Sequence, residues 1–134
     1  MAGERILIVD DWRFMRDYLR ELFEGKYEVD TASNGEEALR MIEEEVYDLV
    51  FVDQRLPGID GIELIRRINE LSPGTQVIVI TAYGSVESAV EAIKLGAFDY
   101  IQKPIQSPEE LKLKAEEAIE RGKSLREKRR PAQA

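Results

Sequence analysis

The chain has 134 residues, 27 of them acidic and 19 basic, with neither cysteine nor histidine. That length suits one domain with an ordinary core. The composition excludes disulfides, thiolate chemistry and imidazole as base or metal ligand, leaving carboxylates, lysine and hydroxyls to do any chemistry. No apolar run is long enough to span a bilayer, and the start Met-Ala-Gly-Glu-Arg lacks the apolar stretch of a signal peptide, so a soluble cytoplasmic protein is expected.

Charge is uneven along the chain. Residues 1–120 hold 13 Lys and Arg against 26 Asp and Glu, whereas residues 121–130 hold six basic residues and one Glu. An acidic body repels phosphate backbones, which argues against nucleic-acid binding by the domain itself. The basic stretch from Arg121 could touch nucleic acid, but a solvated helix end accounts for it more simply.

In chain order, Ile6 to Val9 is an apolar run that reads as a first strand, followed by Asp10 and Asp11. Residues 12–24 carry Phe14, Met15, Tyr18, Leu19, Leu22 and Phe23 at helical spacing, with Gly25 as the expected C-terminal stop. Tyr27, Val29 and Thr31 alternate with acids, as an edge strand does. Either Ser33 or Asn34 is placed to start a second helix with Ala38, Leu39 and Ile42 inside.

The next stretch, Asp-Leu-Val-Phe-Val-Asp-Gln-Arg-Leu-Pro-Gly-Ile-Asp-Gly, runs four apolar residues into Asp53 and a turn-rich loop. Such a run fits a buried central strand of a parallel sheet. Gly61 opens a third helix bearing Ile65, Ile68 and Leu71, ended by Ser72, Pro73 and Gly74. Val77 to Ile80 is a fourth strand that delivers Thr81. Ser85 is placed to cap a fourth helix, which passes Ala89, Val90 and Ile93 to Gly96. Asp99 to Gln102 is a short fifth strand, delivering Lys103 beside Pro104. Ser107 and Pro108 start a last helix with Leu111, Ala115, Ala118 and Ile119 on one face, which Gly122 either ends or weakens.

Five strands alternating with five helices demand an α/β fold, a parallel sheet covered on both faces through right-handed crossovers. An edge-like second strand and apolar first, third and fourth strands fit the flavodoxin-like order 2-1-3-4-5. In that order Asp10, Asp11, Asp53, Thr81 and Lys103 fall at one edge of the sheet. Singly, each has a structural explanation: Asp11 as a helix cap, Thr81 bonded to a turn, Lys103 as a solvated lysine. Together, at one edge, they read as a site. Three gathered carboxylates repel unless a cation neutralises them, and a hard divalent ion such as Mg2+ suits oxygen donors. Asp53 would then be ligand and nucleophile, forming an acyl phosphate, with Lys103 as a point charge and the Thr81 hydroxyl as the group that senses the phosphate.

Ile-Leu-Ile-Val-Asp-Asp, Val-Asp-Gln-Arg-Leu-Pro-Gly-Ile-Asp-Gly, Ile-Thr-Ala-Tyr-Gly and Gln-Lys-Pro resemble the receiver domain of two-component response regulators. The likeness is greatest to receivers of NtrC-type enhancer-binding transcription activators, and it covers residues 4 to about 122. It implies Asp53 as phosphoacceptor, Asp11 and Asp53 as direct magnesium ligands, Asp10 as a ligand through water and a backbone carbonyl contact from Arg55. It also implies a Lys103–phosphate pair, Thr81 with Tyr100 as the switch, and a cis Lys103–Pro104 bond. Arg55, Ala82 and Tyr83 should govern access to the phosphate, the two bulky ones overhanging it.

The donor must lie outside the chain, which has no histidine; a sensor histidine kinase or phosphotransfer protein is implied, docking near Phe14 and Met15. A homodimer through helix 4, strand 5 and helix 5 is expected, with a downstream effector, a receiver at 1–122 and a basic extension at 123–134. Two rivals differ in chemistry. A haloacid-dehalogenase-type phosphatase needs a second Asp two residues after Asp53, where Arg55 stands. A pseudo-receiver, an interaction module that takes no phosphate, would not need every catalytic position filled. A nucleotide site fails for want of a glycine-rich loop after the first strand.

Overall fold

The computed structural model describes residues 3–129, with side chains through Glu127; the expected extension beyond Arg129 lies outside the described residues. Strands and helices alternate: β1 (Arg5–Val9), α1 (Arg13–Phe23), β2 (Glu28–Ala32), α2 (Gly35–Glu44), β3 (Leu49–Val52), α3 (Gly61–Leu71), β4 (Gln76–Thr81), α4 (Val86–Lys94), β5 (Asp99–Gln102) and α5 (Pro108–Arg129). All strand pairs are parallel, in the order β2-β1-β3-β4-β5. The continuous apolar runs become the three central strands because only residues apolar on both faces survive burial on both faces. β3 and β4 are buried throughout, while β2 and β5 are the partly exposed edges.

Side-chain alternation divides the core in two. Leu7, Val9, Val50, Val52, Val77 and Val79 pack with α2, α3 and Ala92 of α4 on one face. Ile6, Ile8, Leu49, Phe51, Ile78 and Ile80 pack with α1 and α5 on the other. Each of these side chains, removed from water, contributes on the order of 2 kcal/mol, which keeps the strand ends rigid.

Local chemistry sets the helix starts. Asn34 rather than Ser33 caps α2, accepting from the Glu37 N–H; Asp60 caps α3 and Ser85 caps α4 in the same way. Gly61 is required by proximity: a Cβ there would lie 2.6 Å from the Asp53 carbonyl oxygen, so only glycine lets α3 begin against the end of β3. Its N–H donates to the Gln54 carbonyl at 2.9 Å, closing the loop after Asp53.

Three expectations differ in part from the structure. Helix α1 ends at Phe23 with Glu24 as its cap, just before Gly25 as expected, but not through a left-handed glycine: the N–H groups of Lys26 and Tyr27 both donate to the Phe23 carbonyl. Gly122 does not end α5, which continues to Arg129. Nor is the start of the basic stretch a solvated end. Gly122 is buried against Gly74, Lys123 pairs with Glu4 at 2.9 Å, and Arg126 pairs with Asp48 at 2.6 Å. Acidic residues at the amino ends of β1 and β3 draw that helix turn inward. On α4, by contrast, only Ala92 is buried, and Val86, Val90 and Ile93 lie exposed.

Candidate functional site

Asp10 follows β1, Asp53 follows β3, Thr81 ends β4 and Lys103 follows β5, all at the carboxyl edge of the sheet. Ladder bonds extend to them: the Asp53 N–H donates to the Val9 carbonyl at 3.0 Å, and the Lys103 N–H to the Thr81 carbonyl at 2.8 Å. Continuing the strand alternation puts Asp10 and Asp53 on the α1/α5 side of the sheet and Thr81 on the α3/α4 side. The Lys103–Pro104 peptide bond is cis.

Lys103 Nζ donates to Asp10 Oδ2 and to Asp53 Oδ2, each at 2.9 Å. Its side chain is only 8 % exposed, and those of Asp10 and Asp53 are 4 % and 6 % exposed. The other oxygen of each carboxylate accepts a backbone N–H, from Trp12 to Asp10 Oδ1 at 2.9 Å and from Arg55 to Asp53 Oδ1 at 3.1 Å. Asp11 is exposed beside them, and one oxygen from each of the three carboxylates lies within 4.8 Å of the others. Lys103 is the one cation bonded to these carboxylates among the described residues.

Burial pushes the Asp10 carboxyl above the ordinary range, more than its bonds to Lys103 and Trp12 pull it down. Burial opposes the charge on Lys103, yet its hydrogen bonds to Asp10 and Asp53 outweigh that and raise its pKa. Such mutual dependence is what a site short of positive charge looks like. The donor set fits a hard divalent ion. Asp10, Asp11 and Asp53 would hold such an ion, which would supply the positive charge that the three carboxylates lack.

Asp53 sits in a cleft of about 560 Å³ lined also by Asp11, Trp12, Arg55, Tyr83 and Lys103, with Ala82 in its wall. The Arg55 guanidinium lies 4.3 Å from the centre of the Tyr83 ring, so the two bulky residues meet across the cleft. Thr81 is fully buried, and its hydroxyl accepts the Tyr83 N–H at 3.2 Å rather than bonding Asp53. Of the two residues expected to form a docking surface, Phe14 is exposed and Met15 is buried.

Tyr100 is already turned inward. Its hydroxyl donates to Gln54 Oε1 at 2.6 Å and lies 2.7 Å from Ser88 Oγ, and its ring packs on the α3/α4-side core. The sequence reading has Tyr100 turning in only as Thr81 moves; bonds to Gln54 and Ser88 hold it there beforehand. Neither partner is signalled by a motif. Gln54 could have been suspected only as the neighbour of Asp53.

Known proteins share this fold. The family model for the response regulator receiver domain matches residues 6–116, and the chain belongs to that family. It is 43 % identical over 107 residues to the chemotaxis protein CheY of Halobacterium salinarum, covering 79 % of this chain and 89 % of that protein. It is 43 % identical over 122 residues to the transcriptional regulatory protein ZraR of Klebsiella oxytoca, covering 89 % of this chain but 27 % of ZraR. Among solved structures, a CheY-like receiver domain protein from Methanospirillum hungatei JF-1 superimposes with a TM-score of 0.86 at 35 % identity, over 92 % of this chain and 98 % of that one. Within the family, the chain is similar to receivers of NtrC-type activators, and it spans about a quarter of the length of the ZraR relatives it matches.

Proposed function

We propose that this receiver takes a phosphoryl group onto Asp53 from a phosphohistidine of a sensor kinase or phosphotransfer protein, in a magnesium-dependent reaction. The observation that carries this reading is the bridge from Lys103 Nζ to both Asp10 and Asp53, with Asp11 alongside. An ionised Asp53 oxygen attacks phosphorus, a P–O bond forms, the P–N bond breaks, and the electron pair stays on the donor's imidazole. Lys103 moves its ammonium from the Asp53 carboxylate to the arriving phosphoryl oxygens. Asp11 and Asp53 would hold magnesium directly, Asp10 through water, and Arg55 through its carbonyl. The ion supplies the positive charge that offsets gathered carboxylates and phosphoryl oxygens.

A phosphoryl group on Asp53 adds charge that the Thr81 hydroxyl can meet. Turning toward it releases the Tyr83 N–H and shifts the loop at Gly84, on which the Tyr100 ring packs. The face made by α4, β5 and α5 then changes, and its exposed Val86, Val90 and Ile93 suit a homodimer or an effector. The protein is read as a cytoplasmic signalling domain that catalyses its own phosphorylation and dephosphorylation. Residues 1–122 form the receiver and residues from 123 link to an effector, by analogy with the longer regulators.

Trp12, the single tryptophan, stands at the site and reports on it. Its fluorescence should respond to magnesium, then further to a small phosphodonor, and Asp53→Asn should weaken the first response and abolish the second. A metal response with no Asp53-dependent phosphodonor response would favour the pseudo-receiver. The Arg55–Tyr83 contact is read as a screen against hydrolytic water. Replacing both with alanine should shorten the life of the phosphorylated form, and an unchanged dephosphorylation rate removes that role.

A further inference from the structure

We propose that Trp12 selects the phosphodonor, its indole face receiving the aromatic ring of the leaving group; the proposal rests on the phosphoacceptor reading of Asp53. Trp12 is 53 % exposed, an unusual place for so large an aromatic side chain. Its side chain makes no bond to its helix. It occupies the cap position of α1 without a side-chain bond, where α2, α3 and α4 use Asn34, Asp60 and Ser85. Its ring packs on Phe14 at 5.2 Å between centroids, and Phe14 is itself 62 % exposed, so the pair forms an aromatic shelf open to solvent.

That shelf borders the reacting atoms. Trp12 lines the cleft that holds Asp53 and also an adjoining apolar groove of about 440 Å³, shared with Phe14, Tyr18 and Ile105. The Lys103 ammonium lies 5.6 Å from the indole centre and 2.9 Å from Asp53 Oδ2. In phosphoryl transfer the attacking oxygen, phosphorus and departing atom are roughly in line. Asp53 lies in the floor, so the departing group points outward to the mouth, where the indole stands. A flat π-face there favours a planar ring, and more so one carrying positive charge. A phosphoimidazole protonated on its far nitrogen is such a ring. When its P–N bond breaks, the electron pair stays on nitrogen and neutral imidazole leaves.

The test compares two donors with the same scissile P–N bond, phosphoimidazole with a ring and phosphoramidate without. Initial rates of Asp53 phosphorylation are measured by intact-protein mass on the full chain with magnesium present. The ratio of ring-donor to ringless-donor rate should fall about fivefold in Trp12→Ala and be largely retained in Trp12→Phe. A ratio in Trp12→Ala equal to that of the unaltered chain overturns the proposal, whatever happens to the two rates together. If neither donor phosphorylates Asp53 of the unaltered chain, the phosphoacceptor reading falls and this proposal with it.

Discussion

Strand β3 has an aspartate just beyond each end, and the two ends are built on opposite principles. At the amino end, Asp48 is matched: Oδ1 accepts from the Arg126 guanidinium at 2.6 Å and Oδ2 from the Arg5 N–H at 2.8 Å. Its neighbours are matched too, Asp30 by the Tyr47 hydroxyl at 2.6 Å and by Arg5 at 3.3 Å, Glu4 by Lys123. At the carboxyl end, three carboxylates gather beside one ammonium, which bonds Asp10 and Asp53. Balanced charge holds a helix in place; a deficit of positive charge, kept in a buried cleft, suits a cation. Acidic clusters are therefore better judged by their unmet charge than by their number.

The largest difference between the two ends should follow from removing each cation. Lys103→Met leaves Asp10 and Asp53 buried without a countercharge and should cost about 3 kcal/mol at neutral pH in metal-free buffer. Added magnesium should recover part of that loss. Arg126→Met, at a partly exposed pair, should cost less than about 1 kcal/mol. Equal losses in denaturant unfolding would erase the distinction.

An intermediate effect concerns Asp10. Burial raises its pKa, so the folded protein holds that proton to higher pH than the unfolded chain does. Stability through this group therefore falls as pH rises from the ordinary carboxylate value through the raised one, and stays reduced above it. Asp10→Asn should raise the melting temperature at neutral pH without metal. The advantage should shrink toward acid pH, where Asp10 is protonated anyway, and shrink again when magnesium is added. A variant that melts lower at neutral pH and gains nothing on acidification would contradict this assignment of charge strain.

Much of the fold and of the site is legible in the sequence. Leu49–Val52 and Val77–Ile80 are uniformly apolar, so their central places and the delivery of Asp53 and Thr81 to one edge follow from burial and period alone. What stays hidden depends on contacts between distant side chains. Tyr100 reaches Gln54 across 46 positions, and neither residue breaks a pattern in doing so. The docking of the basic stretch depends on Gly122 meeting Gly74, a close approach invisible to charge counting. Gly25 marks the end of α1 but not its geometry, because the N–H groups of Lys26 and Tyr27 meet the Phe23 carbonyl without a left-handed residue.

The central claim is that the uncompensated end of β3 exists to take phosphate on Asp53. It is tested most directly by incubating the full chain with phosphoramidate, with and without magnesium, and locating the added group by peptide mass spectrometry. The expected result is one phosphoryl group on the peptide bearing Asp53, dependent on magnesium and absent from Asp53→Asn. A phosphoryl group on another residue, or none in a chain that binds magnesium, would contradict the account.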